Sequence, residues 1–195
     1  MSGGSTRKPA GSRDLHHSSS LSALFPDELV KTSATLPILL INLPQHNAVK
    51  VEVLLAQHGD FAHPIGRQLL DIPNQSGLWR IAVQADAQLN SLALDTPYDW
   101  QVTLVSKIPG RGQPPTVTGT LQRVAIAPEI QSQLNSSTPQ ERVTLYQSLE
   151  LPYDACVELD RVRRSDPTNT WAQTTWSTWM RDRGWDDWVD VPTIG

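Results

Sequence analysis

Between residues 48 and 105 apolar side chains recur at every second position in three separate runs. Val49, Val51, Val53 and Leu55 alternate with Lys50, Glu52 and Leu54. Trp79, Ile81, Val83 and Ala85 alternate with Arg80, Ala82 and Gln84, and Tyr98, Trp100, Val102 and Leu104 with Asp99, Gln101 and Thr103. Successive side chains of an extended chain point to opposite faces, so a period of two predicts strands with one face on a core and one in water. Trp100 falls in the inward set of what reads as a central strand. Residues 36–43 are almost wholly apolar, which predicts a strand covered on both sides. Residues 65–72 and 116–126 carry weaker patterns. In the latter, Val117, Gly119 and Leu121 share one face and Val124 and Ile126 the other, which predicts a bulge near Gln122 and Arg123. Turn-forming clusters at 44–47, 58–60, 73–77, 95–97 and 109–112 separate the runs. Six or seven short strands at this spacing predict an antiparallel sandwich.

Beyond Ile126 the period lengthens. Pro128 predicts a first helical turn. Ser137 or Thr138 precedes a glutamine or glutamate at the capping-box spacing, and Val143, Tyr146 and Leu149 follow on one face. Pro152 opens a third helix, with Ala155, Cys156, Leu159 and Val162 inward and Glu158, Asp160, Arg161 and Arg163 outward. Asp166-Pro167 stops it. Asn169 or Thr170 starts a fourth, with Trp171, Trp176 and Trp179 at roughly one-turn steps, and Gly184 ends it.

The chain has 195 residues and 21.6 kDa, enough for one domain or a domain with a small appendage. With 38% hydrophobic and 18% charged residues it is too apolar for global disorder. The net charge of −4 lacks the basic footprint of a general nucleic-acid binder. The surplus acid is C-terminal: residues 128–195 hold six bases and eleven acids, and the same stretch holds five of the seven tryptophans. The lone Cys156 excludes an intrachain disulfide. The longest apolar run, 36–43, is broken by Pro37 and far too short to span a bilayer. Residues 1–20 are rich in Ser and Gly and have nothing to bury, so they are predicted mobile and dispensable for folding. No apolar stretch follows Arg7 and Lys8. The chain is therefore either cytoplasmic or trimmed of an export signal.

No reaction can be read from the candidate chemistry. His58 and His63, with Asp60 between them, can meet at a hairpin tip, but no spacing fixes metal geometry and exposed loop histidines are the expectation; His16, His17 and His46 also lie in loops. No Gly-x-Ser-x-Gly elbow occurs. Cys156 is expected as a buried structural thiol. Glu158 and Asp160 are expected on a solvated helix face, and Asp154 as a carboxylate serving free amides at a helix start. The 109–115 loop, Pro-Gly-Arg-Gly-Gln-Pro-Pro, lacks the lysine and hydroxyl of a phosphate loop, and Arg111 becomes its candidate binding residue. Trp171, Trp176 and Trp179 are expected to pack their helix. Trp185 and Trp188, set among Asp186, Asp187 and Asp190, are the candidate contact residues, with at least one indole accessible to solvent.

Several motifs occur in a recognisable order. They are Ala10-Gly-Ser-Arg13, Leu21-Ser-Ala-Leu-Phe-Pro26, Tyr98-Asp-Trp100, Ser137-Thr-Pro-Gln-Glu-Arg142, Leu145-Tyr146, Pro152-Tyr-Asp-Ala155, Asp166-Pro167 and Trp171. In this the chain resembles the cyanobacterial domain of unknown function 928 over residues 10 to 184. The Tyr-Asp-Ala element and the Pro-x-Glu-Arg helix before it are the most specific part. The resemblance implies an exported, periplasmic or extracellular protein and carries no catalytic residue with it. The family commonly places a cysteine shortly after the Ser-Arg motif, where this chain reads Asp14-Leu-His-His17.

Taken together, these features predict a mainly β fold with C-terminal helices. After a disordered segment 1–20 comes an immunoglobulin-like antiparallel β-sandwich over 21–127. A helical-hairpin segment over 128–184, of the kind used in tetratricopeptide arrays, packs on it, and a Trp/Asp tail follows at 185–195. The expected function is a non-enzymatic binding or scaffolding module without cofactor or metal, whose partner is another protein and not nucleic acid. A hydrolase with its site at the sandwich–helix junction and a carbohydrate-binding module are the competing expectations.

Overall fold

The structure, a computed structural model, describes residues 20–26, 28–84, 91–107 and 113–195. Eight strands come first: β1 (Ser22–Ala23), β2 (Leu29–Thr32), β3 (Ile38–Leu43), β4 (Ala48–Gln57), β5 (Gly66–Asp71), β6 (Gly77–Ala82), β7 (Pro97–Ser106) and β8 (Thr116–Arg123). Four helices follow: α1 (Pro128–Ser136), α2 (Pro139–Ser148), α3 (Pro152–Ser165) and α4 (Thr170–Asp182). A 3-10 turn at Asp186–Trp188 leads to a last short strand, β9 (Thr193–Ile194).

The strands form two sheets, ordered β1-β3-β6-β9 and β2-β8-β7-β4-β5. Both are mixed, because β2 runs parallel to β8 and β9 parallel to β6. This corrects the expectation of purely antiparallel sheets: two short edge strands, contributed by the start and the end of the fold, add on in the parallel sense. The inward residues of β7, Tyr98, Trp100, Val102 and Leu104, are all buried at the centre of the five-stranded sheet. They share one core with Leu39, Ile41 and Ile81 of the other sheet.

β3 is buried on both faces. Its second face, with Leu40 beside Arg80 of β6, meets α3, where Arg80 Nη1 donates to Val157 O at 3.3 Å. The helices thus form a third layer over the four-stranded sheet, with α3 packed between α2 and α4. Thr138 caps α2 in a capping box with Glu141, Asn169 caps α4 through Ala172 N, and Gly184 (φ 71°) lets the chain turn away after α4.

Three local expectations change. Val49 is 44% exposed, because the β4–β7 register shifts between Ala48 and Lys50 and turns it out of the inward set. β8 pairs with β7 in unbroken register and ends at Arg123, so Val124 and Ile126 lie beyond the strand and no bulge is needed. In α3, Asp160 is fully buried and Arg163 nearly so, although both were expected outward. Asp160 Oδ2 accepts from Arg164 Nε at 2.8 Å and from Arg80 Nη1 at 3.5 Å, and the Arg163 guanidinium stacks 4.4 Å from the Trp176 ring centroid. Packing against the sheet and two helices leaves α3 exposed only around Arg161 and Ser165, so Asp160 is buried with two arginines and Arg163 against an aromatic ring. Glu158 is likewise largely covered, held by Arg142 and Arg161. The expected mobile segment lies, apart from Ser20, outside the described residues, as does Ala85.

Candidate functional site

The Tyr-Asp-Ala element sits where the helices meet the two sheets. β1 is only two residues long; Leu24 N–H still reaches Leu40 O at 3.3 Å, but the Ile38 carbonyl and the Leu40 amide on that edge of β3 are left without a strand partner. The Tyr153 hydroxyl fills that gap, donating to Ile38 O at 2.7 Å and accepting from Leu40 N–H at 3.3 Å. Burial pushes its phenol well above the ordinary tyrosine range. Contrary to the expectation of a carboxylate serving amides at its own helix start, Asp154 does not cap α3. Its carboxylate accepts from Thr32 Oγ1 at 2.5 Å, from Ser33 N–H at 2.7 Å and from Ser33 Oγ at 2.7 Å, fastening α3 to the end of β2. Burial raises its pKa against the opposing pull of these donors. Ala155 and Cys156 are fully buried, and burial pushes the Cys156 thiol up to about 12, that of an inert structural cysteine. Tyr98 and Arg123 do not join this cluster. The Tyr98 hydroxyl accepts from Ala93 N–H at 3.1 Å and Arg123 Nη1 donates to Leu92 O at 2.9 Å.

The tail divides its two candidate tryptophans. Trp188 is 6% exposed, and its carbonyl accepts from the Trp176 indole N–H at 2.9 Å. This corrects its placement as a surface contact. The tight 3-10 turn leaves Asp186 and Asp187 in water while turning Trp188 into the core, so burying the indole drags no carboxylate with it. Trp185 is half-buried. Its ring meets Phe25 edge-on at 4.9 Å between centroids, and Phe25 in turn meets Tyr153 at 5.8 Å. Phe25 holds a left-handed backbone (φ 56°), which these contacts hold in place. The exposed Arg183 guanidinium lies 5.8 Å from the Phe25 and Trp179 rings and 5.9 Å from Trp185. Arg111 lies outside the described residues.

A second constellation was missed by the sequence reading. His58, just after β4, places Nδ1 2.8 Å from Asp99 Oδ1 of β7. Thr120 Oγ1 of β8 donates to the same oxygen at 2.7 Å, and Gly59 N–H donates to Asp99 Oδ2 at 2.8 Å. Burial works to raise the Asp99 pKa, but the bonds from Gly59, His58 and Thr120 outweigh it and hold the carboxyl below its usual range. The cluster opens into a cavity of about 430 Å³ on the outer face of the five-stranded sheet, walled by Glu28, Leu29, Phe61, Pro97 and Thr118. His63 does not join it, because it pairs with Asp60 at 3.0 Å. Among the described residues no group of three or more His, Cys, Asp or Glu is placed to hold a metal ion, and no helix is long and apolar enough to cross a membrane. The alternation marked Asp99 only as outward and polar. Its partners come from the turn after β4 and from β8, and spacing in the chain carries no sign of that.

Comparisons with known proteins add little to this geometry. No curated protein matches the chain. A crystal structure of an engineered protein is similar at 12% identity with a TM-score of 0.38 over 54% of this chain, which spans only 20% of that protein. A family model described as Domain of Unknown Function (DUF928) matches residues 2–193. With nearly the whole length covered, this chain belongs to the DUF928 family.

Proposed function

We propose that the protein is a non-enzymatic binding or scaffolding module, working outside the cytoplasm, that meets another protein through the corner formed by Arg183, Trp185, Trp179 and Phe25. The observation that carries this reading is a half-buried indole beneath an exposed guanidinium. Tryptophan and arginine dominate the energetics of protein contacts, and this pair stands at the surface next to a rigid core. The competing hydrolase at the sandwich–helix junction is disfavoured, because Tyr153 and Asp154 are both covered and committed to backbone and hydroxyl partners.

The fold we associate with this function is an immunoglobulin-like sandwich. Several features support it. The chain crosses between sheets in the order that sets β1, β3 and β6 against β8, β7, β4 and β5, and β2 pairs in parallel with β8. At the start of β7 the Tyr98 hydroxyl bonds to a backbone amide five residues upstream, as in a tyrosine corner. β9 then occupies the edge that a fourth strand of the first sheet takes in such domains.

The test is identification by mass spectrometry of proteins recovered with the chain from its native host. A partner retained by the wild type and lost with Arg183→Glu supports the reading. A partner recovered equally by both moves the contact elsewhere.

A further inference from the structure

We propose that the cavity over Asp99 and His58 binds a neutral polyhydroxylated ligand, a sugar unit, at a site separate from the Trp185 corner. The proposal begins with the proton on His58. An ionised carboxylate can only accept, so the 2.8 Å contact to Asp99 requires the proton on Nδ1. In the neutral ring this leaves Nε2 as an acceptor. The pairing is more than a way of satisfying Asp99, which already takes Thr120 Oγ1 and Gly59 N–H. It holds in one orientation a histidine whose side chain is 61% exposed. A fixed but solvent-facing ring is what a recognition group requires.

The walls then select the ligand. Nε2 and the Glu28 carboxylate accept, and the Thr118 hydroxyl can accept or donate, so the lining asks for a ligand rich in donors. No lysine or arginine lines the cavity among the described residues, so an anion finds no counter-charge. A cation fares little better. Asp99 is already engaged by three donors, and Glu28 stands in water, where a single ion pair contributes little. A sugar supplies hydroxyl donors along one edge and an apolar C–H face along the other. Leu29, Phe61 and Pro97 present apolar surface to that second face. The volume of about 430 Å³ lies within the range of small-molecule sites.

The test uses the full chain and follows the His58 ring nitrogens by NMR during titration with glucose, N-acetylglucosamine and cellobiose. Ethylenediamine and inorganic phosphate serve as charged comparisons. We expect a saturable shift at His58 Nε2 with at least one of the sugars. His58→Ala should weaken binding of that sugar about tenfold, as loss of one good hydrogen bond implies, and His63→Ala should leave it unchanged. Thr118→Val carries the same expectation should His58→Ala fail to fold. The proposal is overturned if none of the sugars saturates the site in the millimolar range. Equal binding by wild type and His58→Ala, or a response to ethylenediamine or phosphate in place of the sugars, overturns it as well. None of these results bears on protein recovery through Arg183, so the two proposals fail separately.

Discussion

The Tyr153 hydroxyl lies 2.7 Å from the carbonyl oxygen of Ile38 and stands in for a strand that β1 is too short to provide. One side chain of the helical layer thus completes the hydrogen bonding of the four-stranded sheet. Tyr153→Phe leaves the Ile38 carbonyl and the Leu40 amide without that partner at a buried edge, which costs about 2 kcal/mol. Denaturant unfolding measures the loss, and hydrogen exchange should show the Leu40 amide losing protection ahead of amides in β7.

Gly119 of β8 lies opposite Trp100 of β7. A Cβ at Gly119 would sit 2.5 Å from Trp100 Cζ2, so even alanine forces the indole out of place. Gly119→Ala is therefore expected to destabilise by about 1–3 kcal/mol through overpacking, and Trp100→Ala by about 3–5 kcal/mol through loss of a buried aromatic. Thermal unfolding of both variants checks the pair. A silent Gly119→Ala would mean that the indole does not lie against β8.

Trp188→Ala is expected to cost about 3 kcal/mol or more, because the indole is buried beside Val189 and belongs to the common core. A change within about 0.5 kcal/mol, the behaviour of a surface position, would contradict the burial of this indole in the core.

Asp99 and Asp154 predict opposite responses to pH. The folded pKa of Asp99 is depressed, so its stabilising contribution is present above the unfolded value of about 4 and is lost as pH falls through the lower folded value. The folded pKa of Asp154 is raised. Its contribution is full below about 4 and is lost as pH rises through the higher folded value. The stability gap between wild type and Asp99→Asn should therefore narrow on acidification, and that between wild type and Asp154→Asn should move the other way. Urea midpoints measured across the acid range give both slopes.

Elements whose pattern reflects one dominant environment were legible in the sequence. β3 announced its two covered faces by being apolar but for Asn42, the polarity of β7 alternated from Tyr98 to Leu104, and the caps fell on Thr138 and Asn169, one of the two residues that the sequence offered at each helix start. The exceptions have physical causes. Asp160 and Arg163 stand one turn from Cys156 and Leu159, beside the inward face, and only their charge suggested a solvated position; the structure buries Asp160 against Arg80 and Arg164, and Arg163 on the Trp176 ring. Val49 left its inward set through one extra residue in the ladder, which alternation alone cannot place. Of the candidate contact residues, Trp185 is half-exposed and Trp188 is not, a division set by the hand of a single tight turn. The Asp99–His58 pair depends on three segments meeting, which no local pattern encodes.

The most direct measurement of the proposed function is a paired one on Arg183→Ala, comparing melting temperature with recovery of the native partner. Arg183 is exposed and lies only at the margin of cation–π range from its three rings. Its removal should leave stability within about 0.5 kcal/mol of wild type while sharply reducing partner recovery. Unchanged recovery, or a loss of stability that accounts for the lost recovery, would contradict the assignment of this corner as the contact surface.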